Sequence, residues 1–275
     1  MSTRHGQARG AVQGGAGEGV AAGETVVVKI GGSTFGSGDT TLEDAAALRR
    51  EGARVVIVHG GGAEITRWLG IHQVPSHFVD GLRVTDGAAI DVVVAVLAGV
   101  VNKRLVAELA QLGVPSLGLC GPDGGVLIGE IENPALGFVG AVREVGTRVL
   151  ETLLDAGLLP VIAPIARQRG TAQLLNVNGD TAAGEVAAAL PGSRLVFLTD
   201  VAGVLDGDGR PIARLDADAS TRLRDAGVLK GGMLPKIEAC LRAAAAGARP
   251  VIVDGRTPHA LLNASGAAPA GTVFA

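Results

Sequence analysis

Tyrosine is absent from this 275-residue chain, aromatic residues make up 2% of it, and Cys120 and Cys240 are its only cysteines. Each scarcity excludes something. Few rings leave few platforms on which bases could stack. A formal net charge of -3, with both signs spread along the chain, offers no basic face. No nucleic-acid partner is expected. Two distant cysteines without CxxC spacing suggest neither a disulfide framework nor a zinc site, which fits a reducing cytoplasm. No run approaches the roughly 18 apolar residues of a membrane span, so no membrane partner is expected either. Residues 1–24 are rich in Gly and Ala and lack the apolar core of a signal peptide. They read as a disordered tail.

Lysine is scarce too. Of 24 basic side chains only Lys29, Lys103, Lys230 and Lys236 are lysine. In a chain that otherwise uses arginine, each compact ammonium raises the question whether a point charge is required there.

What is abundant is apolar sequence, 47% of the chain, enough for a sizeable core. Nearly continuous apolar runs recur at 25–30, 54–59, 114–120, 158–164, 194–200 and 249–254. Such runs suit parallel strands covered on both faces. Helical patterns lie between them at 41–52, 63–72, 86–112, 146–157, 180–190, 216–226 and 234–247. The alternation predicts a three-layer α/β/α sandwich around an open, mainly parallel sheet. Two stretches break it: 75–86 joins two helices through β-like residues, and 124–145 reads as small antiparallel strands. Hairpins at the rim of a parallel sheet commonly build a pocket or lid. "LPGS" near 190 marks a lobe boundary, giving lobes 25–190 and 191–275.

The glycine loops carry the chemistry. In "VVKIGGSTFG", Lys29 precedes Gly31 and Gly32 at a strand end, where backbone N–H groups could cradle an oxyanion; a plain βα turn would also use Gly-Gly. "HGGGAEI" sets Gly60, Gly61 and Gly62 between a strand and a helix, a second anion cradle. Its spacing fails the GxGxxG dinucleotide pattern, and Gly81 and Leu82 stand where an acidic residue is needed. "GLRVTD" offers Arg83 on an exposed-looking hairpin, either to fork a carboxylate or as an ordinary surface arginine. "NVNGD" brings Asn176, Asn178 and Asp180 to a helix start, where Asn178 or Asp180 could simply be a cap. "LTDVAGVL" places Asp200 and Gly203 after a strand, the ligand side of an open sheet. The "DGDG" at 206–209 lacks calcium-loop spacing and reads as a hairpin turn. "LKGGMLPK" puts Lys236 in the first turn of a helix, against the macrodipole, which points to a negative ligand. Three of the four lysines thus fall beside glycines, favouring phosphoryl chemistry.

In order, "KIGG", "HGGG", "GLRVTD", "AGVVNKRL", "NVNGD", "LTDVAGVL" and "GGMLPK" resemble the amino acid kinase family, and most closely its N-acetyl-L-glutamate kinase branch, over about residues 25–275. That resemblance implies an amino-acid lobe followed by an ATP lobe, and phosphorylation of the side-chain carboxylate of N-acetylglutamate on the way to arginine. It implies that Lys29 and Lys236 neutralise the transferring phosphoryl group and that Asp180 holds both lysines. Gly32 and Gly61 would donate N–H groups to the phosphoryl, while Gly61, Gly62, Arg83 and Asn176 would bind the acyl amino acid. Asp200, Val201, Ala202, Gly203, Val204 and Leu205, with Val228, Leu229 and Lys230, would line the ATP site. Mg2+ would travel with ATP, since no carboxylate cage is evident. The nucleophile is a carboxylate already ionised at neutral pH, so no general base is needed. His59 is the one histidine beside a motif glycine. Gly179 stands where the family pattern has Ala, and the Gly-rich start makes no convincing helix. An arginine-insensitive homodimer is therefore expected, with a PII-type regulator not indicated. The alternatives are a kinase for carrier-bound aminoadipate or glutamate, and a non-catalytic amino-acid sensor.

Overall fold

A computed structural model describes residues 20–31, 39–79, 81–266 and 269–275. In chain order the described residues form β1 (Thr25–Ile30), α1 (Thr41–Arg50), β2 (Arg54–His59), α2 (Gly62–Ile71), β3 (Phe78–Val79) and β4 (Leu82–Arg83). A long helix follows: α3 (Gly87–Val94) runs through a π-helical stretch, Ala95–Val101, into α4 (Asn102–Gln111). Then come β5 (Ser116–Leu119), β6 (Leu127–Glu130), β7 (Val139–Val145), α5 (Thr147–Asp155), β8 (Leu159–Ile162), β9 (Ile165–Gln168), β10 (Leu174–Val177) and α6 (Gly179–Ala188). β11 (Arg194–Thr199), β12 (Arg214–Leu215), α7 (Ala217–Asp225), α8 (Met233–Ala245), β13 (Arg249–Asp254), α9 (Ala260–Ala264) and β14 (Thr272–Phe274) complete the order.

The main sheet has eight strands in the order β12-β14-β13-β11-β1-β2-β8-β5. Its pairs are parallel except β13 with β14, so the sheet is mainly parallel, as the apolar runs predict. Alternation along β1 fixes the layers. Val26, Val28 and Ile30 join the core under α1, α2, the long helix and α9, whereas Val27 joins the core under α5, α6 and α8. All four side chains are fully buried, each worth roughly 1.5–3 kcal/mol of transfer free energy. Residues before 190 supply β5, β8, β2 and β1, residues after it supply the other four strands, and one sheet runs through both halves.

Three regions differ from the sequence expectation. The 124–145 stretch does form the antiparallel pair β6–β7, but β9 and β10 join it to close a four-stranded ring. Those four-residue strands are too short to signal themselves by periodicity; they pair with each other as a hairpin, and only their other edges reach β6 and β7, some 30 residues or more earlier in the chain. β14 was hidden in a Gly- and Ala-rich stretch. A Cβ at Gly271 would stand 2.2 Å from the Ile252 carbonyl oxygen, so only glycine lets this strand approach β13. The tail boundary also moves. Val20 is buried in the core, Gly23 N–H donates to the Gly52 carbonyl at 3.0 Å, and the Glu24 carboxylate pairs with Arg194 (3.2 Å) and Arg249 (2.8 Å). Residues 20–24 are therefore docked on the body, while residues 1–19 lie outside the described residues.

One close approach positions the site. A Cβ on Gly184 of α6 would lie 2.7 Å from the Ala239 Cβ of α8 and 3.0 Å from Ala239 backbone atoms. There the bare backbone of Gly184 rests on the methyl and backbone of Ala239. Asp180 lies one turn before Gly184 and Lys236 one turn before Ala239, so this contact brings their side chains together. Gly184→Val is expected to push α8 outward, lowering unfolding free energy by about 1–3 kcal/mol in urea titration, the usual cost of overpacking. Unchanged stability would mean that the two helices can slide apart without cost.

Candidate active site

Parallel strands put β1, β2, β11 and β13 in register with their carboxyl ends on one edge: Ile30 pairs with His59, Lys29 with Phe197, and Thr199 with Asp254. The loops after Ile30, His59 and Thr199 all leave from that edge, where open α/β sheets bind ligands. Lys29 is the last β1 residue facing the α6 layer, and it is only 8% exposed. Facing it is the start of α6. Asn178 Oδ1 accepts from the Asp180 N–H at 2.8 Å and the Thr181 N–H at 3.1 Å, so Asn178 is the N-cap and leaves the Asp180 carboxylate for other partners.

Asp180 spends both oxygens on lysine. Lys29 Nζ lies 2.7 Å from Oδ1, and Lys236 Nζ, from the first turn of α8, donates to Oδ2 at 2.8 Å. Burial pushes the Asp180 carboxyl up, but Lys29 and then Lys236 outweigh it and hold it below the usual carboxylate range. The cluster carries two positive charges against one negative, in a site that excludes most water. It therefore favours an added anion.

Beside it lies a cavity of about 200 Å³ lined by Gly60, Gly61, Gly62, Phe78, Leu82, Arg83 and the stretch 176–179. The sequence-selected Gly61, Gly62, Arg83 and Asn176 thus share one pocket. α2 begins there with no side-chain cap on its N-terminus, so its first N–H groups face the pocket without an internal acceptor. A Cβ at Gly61 would stand 2.7 Å from Leu97 Cδ2, so any larger residue here would have to displace the tip of that side chain. A Cβ at Gly179 would meet the His59 carbonyl oxygen at 3.3 Å, a tight fit that the family's Ala would need a small shift to make.

Arg83 does not sit on an exposed hairpin. It is 7% exposed, its guanidinium lies 4.6 Å over the Phe78 ring, and it donates to Ser76 Oγ, the Gly62 carbonyl (3.0 Å) and Thr66 Oγ1 (2.8 Å). Three of its five N–H donors are spent on the protein, leaving two for a ligand, so the fork expected from the sequence is partly occupied. Asn176 Nδ2 donates to Thr85 Oγ1 at 3.1 Å, and that hydroxyl donates to the Arg83 carbonyl at 3.0 Å. Thr85, fully buried, couples the two substrate candidates. Thr85, Ser76 and Thr66 were not singled out from sequence. Thr85 lies inside "GLRVTD", the one signal that could have found it.

His59 is also more than a neighbour of the glycines. Fully buried, it makes a 2.8 Å hydrogen bond from Nδ1 to the Gly60 carbonyl, and its Nε2 lies 3.1 Å from Asn102 Nδ2. Burial brings its pKa down to about 4; the Gly60 bond opposes this, and the charges of Lys103 and Lys29 add to it.

The residues expected to hold ATP are spread over two loops. Asp200, Ala202 and Leu205 are exposed, Val201 is half-buried, and Gly203 (φ 141°) packs against Thr272, whose Oγ1 accepts from the Val204 N–H at 2.8 Å. The Val204 and Leu229 side chains are core residues, at 0% and 6% exposure, so only their backbones can meet a ligand. Val228 is half-buried and Lys230 exposed. The two loops adjoin, since a Cβ at Gly207 would lie 3.7 Å from Val228 Cγ2. Residues 206–210 form the expected turn, Asp206 Oδ1 accepting from the Asp208 and Arg210 N–H groups at 2.9 and 2.8 Å. Gly32 lies outside the described residues. Among the described residues no three His, Cys, Asp or Glu side chains gather to hold a metal, and no helix is long and apolar enough to cross a membrane.

Residues 24–254 match the model of the amino acid kinase family. The chain belongs to that family. More particularly, it is similar to the acetylglutamate kinase of Dehalococcoides mccartyi (strain ATCC BAA-2100), 42% identical over 86% of this chain and 89% of the relative. The acetylglutamate kinase of Ruegeria sp. (strain TM1040) is 46% identical over 86% and 84%. Among solved structures, N-acetylglutamate synthase from Neisseria gonorrhoeae, complexed with coenzyme A and N-acetyl-glutamate, superposes with a TM-score of 0.79 at 27% identity, covering 92% of this chain and 60% of that one.

The His59 ring has a pH consequence. Its folded pKa of about 4 lies below the ordinary 6.5, so between those values the unfolded chain binds a proton that the folded chain refuses. Stability is therefore lost as pH falls from about 6.5 towards 4, by about 3 kcal/mol from this ring. Urea unfolding at stepped pH should show that loss, and His59→Asn should remove it. An identical acid slope in the variant would show that the ring titrates freely in the folded protein.

Proposed function

We propose that the protein transfers the γ-phosphoryl group of ATP to the side-chain carboxylate of N-acetyl-L-glutamate, making N-acetyl-L-glutamyl 5-phosphate for arginine biosynthesis. The observation that carries this reading is the buried Asp180 carboxylate tying Lys29 and Lys236 into one cluster beside the glycine-lined cavity. Similarity to the acetylglutamate kinases of Dehalococcoides mccartyi and Ruegeria sp. adds the substrate.

The acceptor arrives ionised, so the chain need only align it and answer the charge that spreads over the phosphoryl oxygens in transfer. Lys29 and Lys236 supply that positive charge, and Asp180 keeps both ammonium groups in place. Gly61 N–H, with Gly32, donates to the phosphoryl group in flight. Gly61 and Gly62 on the uncapped α2 N-terminus, with Arg83 and Asn176, hold the acyl amino acid. Asp200 to Leu205 and Val228 to Lys230 hold the nucleotide, Val204 and Leu229 through backbone alone. The described residues offer no acidic cage, so Mg2+ enters with the ATP phosphates. The protein is read as a cytoplasmic homodimer, insensitive to arginine.

Purified protein given ATP, Mg2+ and N-acetylglutamate should release ADP and yield a hydroxamate with hydroxylamine. No turnover with clean substrate rejects the reading, and turnover only of carrier-bound aminoadipate or glutamate replaces it. Lys29→Arg and Lys236→Ala should each lower kcat on the order of 100- to 1,000-fold, as loss of one electrostatic donor does, with circular dichroism unchanged. Near-wild-type rates in either would remove that lysine from the chemistry.

A further inference from the structure

We infer that His59 and Asn102 are positioning residues that aim the Gly61 N–H into the cavity, acting through the Gly60 peptide rather than on substrate. This rests on the reading of Gly61 as a donor to the phosphoryl group.

The hydrogen bonds allow one assignment. The Gly60 carbonyl can only accept, so His59 Nδ1 carries the proton and donates to it at 2.8 Å. Asn102 Nδ2 donates both to His59 Nε2 (3.1 Å) and to the Val161 carbonyl of β8 (2.9 Å). Its Oδ1 accepts from Lys103 Nζ at 3.1 Å, and Lys103 also donates to the Gly118 carbonyl at 3.2 Å. An amide flipped end for end would set oxygen against the Val161 oxygen and nitrogen against an ammonium. The orientation is locked, and it demands a neutral ring with a bare Nε2.

The consequence falls on the next peptide. Gly60 is held at both ends, its own N–H donating to the Ile30 carbonyl at 2.8 Å and its carbonyl held by the imidazole. In a planar trans peptide the C=O and the following N–H point in opposite directions. His59 lies on the α4 side of the sheet, against Asn102, and Gly179 of α6 packs against the His59–Gly60 backbone from the other side. Drawing the Gly60 oxygen towards α4 therefore turns the Gly61 N–H towards α6 and the cavity. That N–H makes no hydrogen bond among the described residues. Asn102, 1% exposed and 43 residues from His59, is thus tied to the phosphoryl-facing amide through a single imidazole. Lys103, the fourth lysine, braces this chain rather than meeting phosphate.

The test compares variants that keep or remove the bond to Gly60. Asn at position 59 carries an amide N–H near the imidazole Nδ1 position, whereas Leu fills similar space with no donor. His59→Leu should lower kcat on the order of 100-fold with little change in either KM, the pattern of a donor used only in the transition state. His59→Asn should recover most of that loss. Asn102→Ala, the milder change, should lower kcat about tenfold, and it carries the test if His59→Leu fails to fold. A role confined to stability would lower the melting temperature and leave kcat of the folded protein intact, overturning the inference, as would equal rates for His59→Asn and His59→Leu. A second readout needs no turnover: binding of ADP with aluminium fluoride, a mimic of the phosphoryl group in flight. His59→Leu should weaken the mimic on the order of 100-fold while ADP alone binds as in wild type, and undiminished mimic binding rejects the inference. Failure of the N-acetylglutamate reading shows separately, as wild-type protein that binds the mimic and does not turn over that substrate.

Discussion

Everything at this site depends on a single buried carboxylate shared by two ammonium groups. Asp180 is 6% exposed and lies 2.7 Å from one lysine and 2.8 Å from the other. A carboxylate so placed must be paired, because a lone buried charge costs several kcal/mol. Pairing it twice leaves a surplus positive charge that cannot be neutralised from within. The lysines come from different parts of the chain, one from a central strand and one from a helix start, so the cluster exists only while strand, α6 and α8 keep their mutual positions.

The surrounding structure supplies that constraint mainly by bringing backbones unusually close. Gly184 lets α6 meet α8 with only the Ala239 methyl between them, Gly61 lets the turn after β2 pass under Leu97, and Gly203 lets the loop after β11 rest on Thr272. Polar networks then fix the orientations that close packing leaves open. Thr85 couples Asn176 to the Arg83 backbone, and His59 with Asn102 couples the glycine turn to α4 and β8. Because these groups are buried, each bond left unmade carries its full desolvation penalty. That makes the arrangement stiff where donors must be aimed.

Arg83 shows how a motif residue can be found without its environment being read. Its sequence context suggests a hairpin side chain free to fork a carboxylate, yet three of its donors already serve Ser76, Gly62 and Thr66. The partners come from α2 and from the loop between it and the hairpin, and no spacing rule links them to position 83. Val204 and Leu229 make the same point from the other direction. They lie in loops with ligand-site composition, but their side chains are core residues.

By itself the sequence determined the alternation of strands and helices, the parallel character of the sheet and the identity of the glycine loops and lysines. These are local properties, written as apolar runs and as residue types with unusual backbone or charge behaviour. β9, β10 and β14 escaped it because strands of four and three residues are too short to carry a pattern of their own and are defined by the strands they pair with. The motif resemblance already implied that Asp180 holds Lys29 and Lys236, and the tertiary structure brings the three within 2.8 Å across 151 and 56 residues; it alone decided that Arg83 is buried and that His59, braced by Asn102, holds the Gly60 carbonyl. Hydrogen bonds and ion pairs act over about 3 Å of space, and which residues come that close is a property of packing that no single stretch of chain contains.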